Sequence, residues 1–381
     1  MLRLPSFWDL EEDEQRIAIA VQESTGMTPE HWATLDKASR SPWLEKTISL
    51  LAKDKTQRLP NVAQESEPDF SFVVEEQPWF INSEPSVLDI EPDEFSSLID
   101  SIDLVVMTAT QIERDSVLRL TKSWMHRGKI LRVHIEAETY FLGQFGSFKV
   151  VVTKCQMGSQ QPGSSTLAAE QAQRVCRPKA IVMIGIAFGK GGKQRIGDVL
   201  VASQIINYEP QRIGSLDIED RGSIPPSNPT LLNRFDNVIG WDFKRPDSKS
   251  CSSKSGPILS GEKLVDEPEF KKSLFARYPN AIGGEMEGTG LCAAAIRSNV
   301  PWILVKSICD WADGHKHKRY QALAAASSAS LVHHVLQSPS ALNGLEKPRP
   351  RPVGTSGSLE NIFKDPVDTT QLLAERSKKN S

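Results

Sequence analysis

Two carboxylates flank one methionine in the stretch Gly283-Gly284-Glu285-Met286-Glu287-Gly288-Thr289-Gly290, and no Lys or Arg lies beside them in the chain. A carboxylate at a Gly-rich strand-to-helix junction sits where backbone crowding is least and a ligand can come close. The same stretch also fits a solvated helix start, with Glu287 merely complementing the positive end of the helix. Spacing leaves both readings open. Further on, Trp302-Ile303-Leu304-Val305-Lys306-Ser307-Ile308 reads as a buried strand running into Cys309-Asp310-Trp311-Ala312-Asp313-Gly314. Open α/β sheets place their chemistry at the C-terminal ends of such strands. Desolvation there can raise the pKa of a carboxyl such as that of Asp310.

Other elements must bring these residues together. Leu104-Val105-Val106-Met107 predicts a short buried strand, Thr108-Ala109-Thr110 a turn, and Glu113 to Leu120 a helix. Lys129 to Val152 reads as strand-turn-strand, with Gly143 and Gly146 as turn points. The polar loop from Gln156 to Ser165 precedes a helix at Thr166 to Cys176. It is equally a plain surface turn or a set of backbone N–H groups for an oxyanion or a sugar. Ala180 to Ile184 predicts the central strand. The Gly-rich turn from Gly185 to Gly189 follows, without the Lys-Ser/Thr of a phosphate-binding loop. Ile196 to Val201 predicts the next strand, with Asp198 structural. Residues 210–256 read as a long excursion around one helix, Thr230 to Val238. Pro257 to Glu262 predicts a strand and turn, and Tyr320 to Leu336 a closing helix. The run from Asp313 to Arg319 is strongly basic and fits either solvent or ligand phosphates.

The Glu-Met-Glu triplet opening a helix, followed by a buried strand ending in Cys309-Asp310, resembles the purine nucleoside phosphorylase and nucleosidase superfamily. Its nucleosidase branch, which splits methylthioadenosine and adenosylhomocysteine, has Ser-Asp at the second motif. The resemblance covers roughly Ile102 to Gln337. It implies a three-layer α/β/α sandwich with a twisted mixed sheet, joined here to a small N-terminal helical module. It implies that Asp310 donates a proton to N7 of a purine, that Glu287 binds the ribose hydroxyls, and that Glu113 orients and deprotonates water. Met286 would pack on the ribose, with Glu285 holding water or the turn. Gly185 would lie in the pocket wall and Val265 at the base. Leu264 replaces the aromatic that usually stacks there, leaving Phe188 and Trp311 as candidates for stacking or for core. Phosphorylases of the superfamily hold phosphate with an Arg and a Ser where this chain has Met183 and Ile186, so hydrolysis is expected over phosphorolysis. Lys190, Lys193, Arg195, Lys316, Lys318 and Arg319 near the strand ends favour a purine nucleotide, ATP or AMP. The N-terminal module resembles superfamily members attached to immune or antiphage signalling proteins, so a defence effector is one expectation. The alternatives are a methylthioadenosine/adenosylhomocysteine nucleosidase, a purine nucleoside phosphorylase, and a nucleotide-binding sensor without turnover. A homo-oligomer is expected by the same resemblance.

Composition bounds the rest. The 381 residues carry a net charge of -3 and 39% hydrophobic residues, enough for a sizeable core. No apolar run approaches a membrane span, and Met1 to Leu10 is too short and too soon acidic for a signal peptide. Five scattered cysteines fit a reducing compartment, so a cytoplasmic enzyme with no metal, no cofactor, no membrane and no nucleic acid is expected. Residues 1–100 hold 21 acidic against 8 basic residues, which leaves the remainder basic and attractive to anionic small molecules. Residues 1–56 have helix-like apolar spacing around Trp8, Trp32 and Trp43 but too little core alone. They are expected to dock on a protein partner or on the catalytic domain, or to form a plain extension. Residues 57–100 predict an acidic linker, 101–337 the catalytic domain and 338–381 a flexible tail.

Overall fold

The computed structural model describes residues 85–348 except 125–127, 215–217 and 315–319, together with Thr28, His31, Trp32 and Leu35. The chain divides into two compact units, Met1–Asp69 and Phe70–Ser381. In the first, the Thr28 hydroxyl accepts from the His31 amide at 3.3 Å and the Thr28 carbonyl from the Trp32 amide at 3.0 Å. Those bonds are the pattern of a helix N-terminus capped by Thr28. The rest of the expected module over 1–56 lies outside the described residues, as do the end of the expected tail (349–381), Lys316, Lys318 and Arg319.

The second unit is an α/β fold. In chain order its described strands are β1 (Val87–Asp89), β2 (Leu104–Thr108), β3 (Ile130–Ile135), β4 (Glu138–Phe145), β5 (Phe148–Lys154), β6 (Ala180–Gly189), β7 (Val199–Asn207), β8 (Gln211–Ile213), β9 (Ile218–Asp220), β10 (Ser253–Ser260), β11 (Gly283–Glu285) and β12 (Trp302–Asp310). The described α-helices are α1 (Pro92–Leu98), α2 (Gln111–Leu120), α3 (Ser165–Cys176), α4 (Pro229–Asp236), α5 (Pro268–Arg277), α6 (Gly288–Ser298) and α7 (Gln321–Leu336). Ten strands form one mixed sheet in the order β1-β3-β4-β5-β2-β6-β11-β10-β7-β12, while β8 and β9 pair as a separate hairpin.

Burial on both faces explains the unbroken apolar runs of the central strands. Val105, Met107, Ile181 and Leu304 face one cluster, which takes in Phe95 of α1, Ala168 of α3, Leu291 of α6 and Leu323 of α7. Leu104, Val106, Val182 and Val305 face the other, with Val117 of α2, Phe235 of α4 and Val332 of α7. These are the three layers. The sheet also curls. β12 lies parallel to β6 along most of its length and antiparallel to β7, so β6, β11, β10, β7 and β12 close into a ring at one end.

The structure corrects several boundaries. The sheet domain begins before residue 101: β1 pairs in parallel with β3, and Phe95 is buried, stacking 6.1 Å from Tyr140. Burial of Phe95 holds this part of the expected linker despite its acidic composition. At the other end, Ala341, Leu342 and Leu345 are buried in the core, so the domain also runs past 337. Gly146 is a turn residue, with φ of 63°, but Gly143 lies inside β4. A Cβ at Gly143 would meet the Lys122 carbonyl at 2.6 Å, so glycine there serves a close approach, not a turn. The expected turn at Gly185–Gly189 is instead the second half of β6, paired with both β11 and β12. The excursion over 210–256 carries the β8–β9 hairpin and the start of β10 besides its helix.

Leu304 is fully buried at the centre of the sheet. Leu304→Ala is expected to destabilise the protein by about 2–5 kcal/mol, through lost burial and the cavity left behind, in urea unfolding followed by circular dichroism.

Candidate active site

Four ionisable side chains meet in the interior where β6, β11 and β12 converge. Glu113, Glu285, Glu287 and Lys306 are at most 5% exposed, and Lys306 is at 0%. The Lys306 ammonium donates to Glu287 Oε2 at 2.8 Å and lies 3.6 Å from Glu285 Oε2. Lys306 is in register with Gly185 on the neighbouring β6. A Cβ at Gly185 would lie 2.4 Å from Glu113 Oε1 and 2.9 Å from Lys306 Nζ. Glycine in this strand is therefore the space in which the Glu113 carboxyl and the ammonium fit.

Each carboxyl is also held by backbone. Glu113 closes a capping box with Thr110 at the start of α2. Its Oε2 accepts from the Ala109 and Thr110 amides at 2.7 and 2.8 Å, and its Oε1 reaches across to the Ile186 amide at 2.8 Å. Glu285, the last residue of β11, accepts from the Glu287 and Gly288 amides at 2.9 Å. The helix-start role that the sequence suggests for Glu287 thus belongs to Glu285. Glu287 turns inward to Lys306, and its Oε1 accepts from the Gly158 amide at 3.3 Å. The loop over 156–165 is pinned around this carboxyl: Ser165 Oγ donates to the Glu287 carbonyl at 2.8 Å, and Ser159 bonds Glu262 through both its amide and its hydroxyl. Among the loop's N–H groups, those of Gly158 and Ser159 therefore already serve carboxylates.

Burial and mutual charge set the protonation of this cluster. Burial pushes the Glu285 carboxyl up to about 7; Lys306 opposes the rise and Glu287 adds to it. Glu113 is raised in the same way, by burial first, with Lys306 opposing and Glu287 reinforcing. For Lys306, burial disfavours the ammonium, but Glu287, Glu113 and Glu285 together outweigh it, so its proton is held above the ordinary lysine range. The arrangement offers a permanent cation, a carboxylate paired to it, one carboxyl that can exchange a proton near pH 7 and a second whose pKa is raised.

Asp310 ends β12, four residues beyond Lys306, which is about 13 Å of strand. Its Oδ1 accepts from the Ala312 amide at 3.0 Å and its Oδ2 from the Cys309 thiol at 3.3 Å. Beside it lies an apolar group. Phe188 is paired in register with Asp310 and clusters with Val265, Phe275 and Ala312. Phe188 packs into the space left by Gly284, where a Cβ would meet its ring at 2.2 Å, and Trp311 packs into the space left by Gly189. Met286 and Trp311 are half-buried, whereas Leu264 is 60% exposed. The structure thus brings Glu113, Glu285, Glu287 and Gly185 around Lys306, and groups Phe188 and Val265 near Asp310. Asp198 bonds the Arg195 and Ser252 amides at 2.8 Å each, a structural role. Lys190 donates to the Pro279 carbonyl and lies 5.4 Å over the Phe275 ring. Lys193 and Arg195 are exposed.

Sequence reasoning did not assign Lys306 a role. Its signal was a single charge inside an otherwise apolar strand. It likewise missed Glu262, whose partner Ser159 is 103 residues away.

The sequence profile described as Phosphorylase superfamily matches residues 103–337. The chain belongs to that superfamily. A Death domain-containing ATP nucleosidase from Amphimedon queenslandica is 31% identical over 259 residues, covering 62% of this chain and 48% of the relative. The chain therefore spans about half the length of that relative. A 5'-methylthioadenosine/S-adenosylhomocysteine nucleosidase from Maridesulfovibrio salexigens is 27% identical over 205 residues, covering 52% of this chain and 86% of its own. Among solved structures, a nucleosidase of that kind from Colwellia psychrerythraea, in complex with adenine, aligns with a TM-score of 0.54 at 19% identity, covering 65% of this chain and 98% of its own. A futalosine hydrolase of Helicobacter pylori aligns with a TM-score of 0.52 at 19% identity, covering 62% and 97%. These structures share the fold.

Lys306→Met leaves three buried carboxyls without their cation. It is expected to cost about 3–5 kcal/mol in urea unfolding near neutral pH, and less below about pH 7, where Glu285 holds a proton. Glu285 binds more protons folded than unfolded between its ordinary value of 4.5 and about 7. Its stabilising contribution is present in full below 4.5 and is lost as pH rises through 7. Glu285→Gln should therefore reduce the fall in unfolding free energy between about pH 5 and pH 8 by on the order of 2 kcal/mol.

Proposed function

We propose that this chain is a purine nucleosidase that hydrolyses the N-glycosidic bond of an adenine nucleotide or nucleoside. The observation that carries the reading is the buried Glu113–Glu285–Glu287–Lys306 cluster, with Asp310 farther along the same strand and apolar side chains beside it. Charge at one end suits a ribose and its developing cation. An apolar wall with a carboxyl at the other suits a purine, and about 13 Å of strand matches a nucleoside in length.

Hydrolysis breaks the C1′–N9 bond, and the bonding pair leaves with the base. Asp310 donates its proton to N7, so the base departs neutral. Positive charge grows on the sugar, where Glu287, held by Lys306 and the Gly158 amide, binds the ribose hydroxyls and stabilises that charge. Glu113 takes a proton from the water that adds to C1′; its raised pKa brings it nearer the operating pH, as a general base requires. Met183 and Ile186 supply no anion contact for phosphate, which supports water as nucleophile.

The ATP nucleosidase relative supports a nucleotide, and the methylthioadenosine/adenosylhomocysteine nucleosidase relatives support a thio-nucleoside as the second reading. The test is incubation of the full chain with ATP, AMP, adenosine and methylthioadenosine, with free adenine followed by chromatography. Adenine release from ATP or AMP is expected. Release from methylthioadenosine alone selects the second reading, and release from none ends both. Asp310→Asn is expected to lower kcat by about 10²–10⁴-fold while the protein stays folded.

A further inference from the structure

The turn that carries Asp310 is held from outside by a lysine on a separate helix. Lys271 of α5 donates to the Trp311 carbonyl at 2.6 Å, and its ammonium lies 5.8 Å from the centre of the Trp311 ring. On its other side the ring fills the space left by Gly189, where a Cβ would lie 2.5 Å from it. Trp311 is thus clamped between β6 and α5.

The backbone on both sides of Trp311 is forced. The β6–β12 register shifts between Ile308 and Asp310, an irregularity of the kind that re-aims a side chain. Ala312 adopts φ of 49° while almost fully buried. A non-glycine residue holds that conformation only where its surroundings impose it. Here the Ala312 amide donates to Asp310 Oδ1, and Lys271 secures the carbonyl of the residue between them.

We propose that Lys271 is a positioning residue for Asp310: anchored on the Trp311 carbonyl, it fixes the turn that presents the carboxyl and gives that carboxyl a positive neighbour. This rests on the assignment of Asp310 as proton donor. Burial lowers the Lys271 pKa, and Asp313 and Asp310 both act against that fall, so the ammonium and the Asp310 carboxyl feel each other. The other groups facing this corner are Cys309 on β12, Glu113 of α2, whose charge reaches the Cys309 thiol, and Lys190 and Lys272. Those two lysines line a cavity of ≈ 530 Å³ together with Lys271, Phe275 and Asp313. Among the described lysines of this corner, Lys272 pairs with Glu269 at 3.6 Å, Lys190 serves the Pro279 carbonyl, and Lys271 bonds the turn itself.

The experiment compares the full chain with Asp310→Asn, Lys271→Met, Lys271→Gln and Lys271→Arg. It uses ATP or methylthioadenosine, whichever releases adenine faster, and records kcat, KM and the pH profile of kcat/KM. A proton donor loses activity as pH rises through its pKa. Removing a neighbouring cation raises that pKa, so the alkaline limb should move to higher pH in Lys271→Met and stay in place in Lys271→Arg. On the low-pH plateau, Lys271→Met should lose about 10–100-fold in kcat, with KM changed less than about threefold. Lys271→Arg should recover most of that loss. An unmoved limb in Lys271→Met overturns the proposal, as does a loss in kcat that Lys271→Arg does not recover. Should Lys271→Met fail to fold, Lys271→Gln keeps a donor for the Trp311 carbonyl without the charge, and an unmoved limb there overturns it equally. Full activity in Asp310→Asn refutes the proton-donor assignment. An inactive Asp310→Asn beside an unaltered Lys271→Met refutes only the role of Lys271.

Discussion

One ammonium serves three carboxyl groups in the interior of this protein, and the surrounding architecture follows from that imbalance. Lys306 sits fully buried on β12, in contact with Glu287 and Glu285 and within the field of Glu113. A buried charge is tolerated only when it is paired and its remaining hydrogen-bonding capacity is met. Three elements have to meet to satisfy that condition: β11 and the turn after it deliver two glutamates, the start of α2 delivers the third, and β6 carries no side chain at Gly185, which makes room. The backbone supplies what the cation cannot. Amides of Ala109, Thr110, Ile186, Gly158, Glu287 and Gly288 each donate to one of the three carboxyls. Burial, which raises the pKa of Glu113 and takes that of Glu285 to about 7, favours the neutral carboxyl and so eases the charge that is left over.

Much of the fold was legible because both faces of the sheet are covered. The strands at Leu104–Thr108 and Trp302–Asp310 are apolar nearly without interruption, and the helix at Gln321–Leu336 is rich in alanine where it is flanked by sheet and helix. What misled was glycine. Gly143 and Gly185 resemble turn residues in a sequence, yet both lie inside strands, each leaving space for a neighbour's atoms. Local composition cannot separate a glycine needed for its backbone freedom from one needed for its missing Cβ. The acidic stretch before residue 101 misled for a related reason. One aromatic, Phe95, stacks on Tyr140 and buries itself, and tertiary contact outweighs the charge around it.

The candidate site was legible as a set of carboxyls and illegible as a network. Glu113, Glu285, Glu287 and Asp310 stand at recognisable junctions between strand and helix. Lys306 gave only the weak signal of one charge in an apolar run, and its partners lie 19 and 21 positions away in sequence, on another strand and the turn that follows it. Capping added a further ambiguity. A glutamate at a helix start has the same local signature whether it caps the helix or turns into the core, and here Glu285 does the first while Glu287 does the second.

The two ends of the site differ in the groups that surround their carboxyls, and that difference bears on the proposed reaction. The charged end is closed on itself: each carboxyl already has backbone or ammonium partners, so little reorganisation would accompany the growth of positive charge beside it. Around Asp310, the described contacts are of another kind: a thiol, one amide in a left-handed turn, and a lysine from a neighbouring helix that bonds the carbonyl next to it. In the proposed reaction Asp310 gives up its proton and regains it in every turnover, so its surroundings have to accommodate both states. A thiol donor is weak and costs little when the carboxyl is neutral, whereas an ammonium favours the carboxylate left after transfer. Under the proposed reading, the two ends of β12, the strand that carries both Lys306 and Asp310, therefore have separate tasks: fixed charge at one and proton transfer at the other.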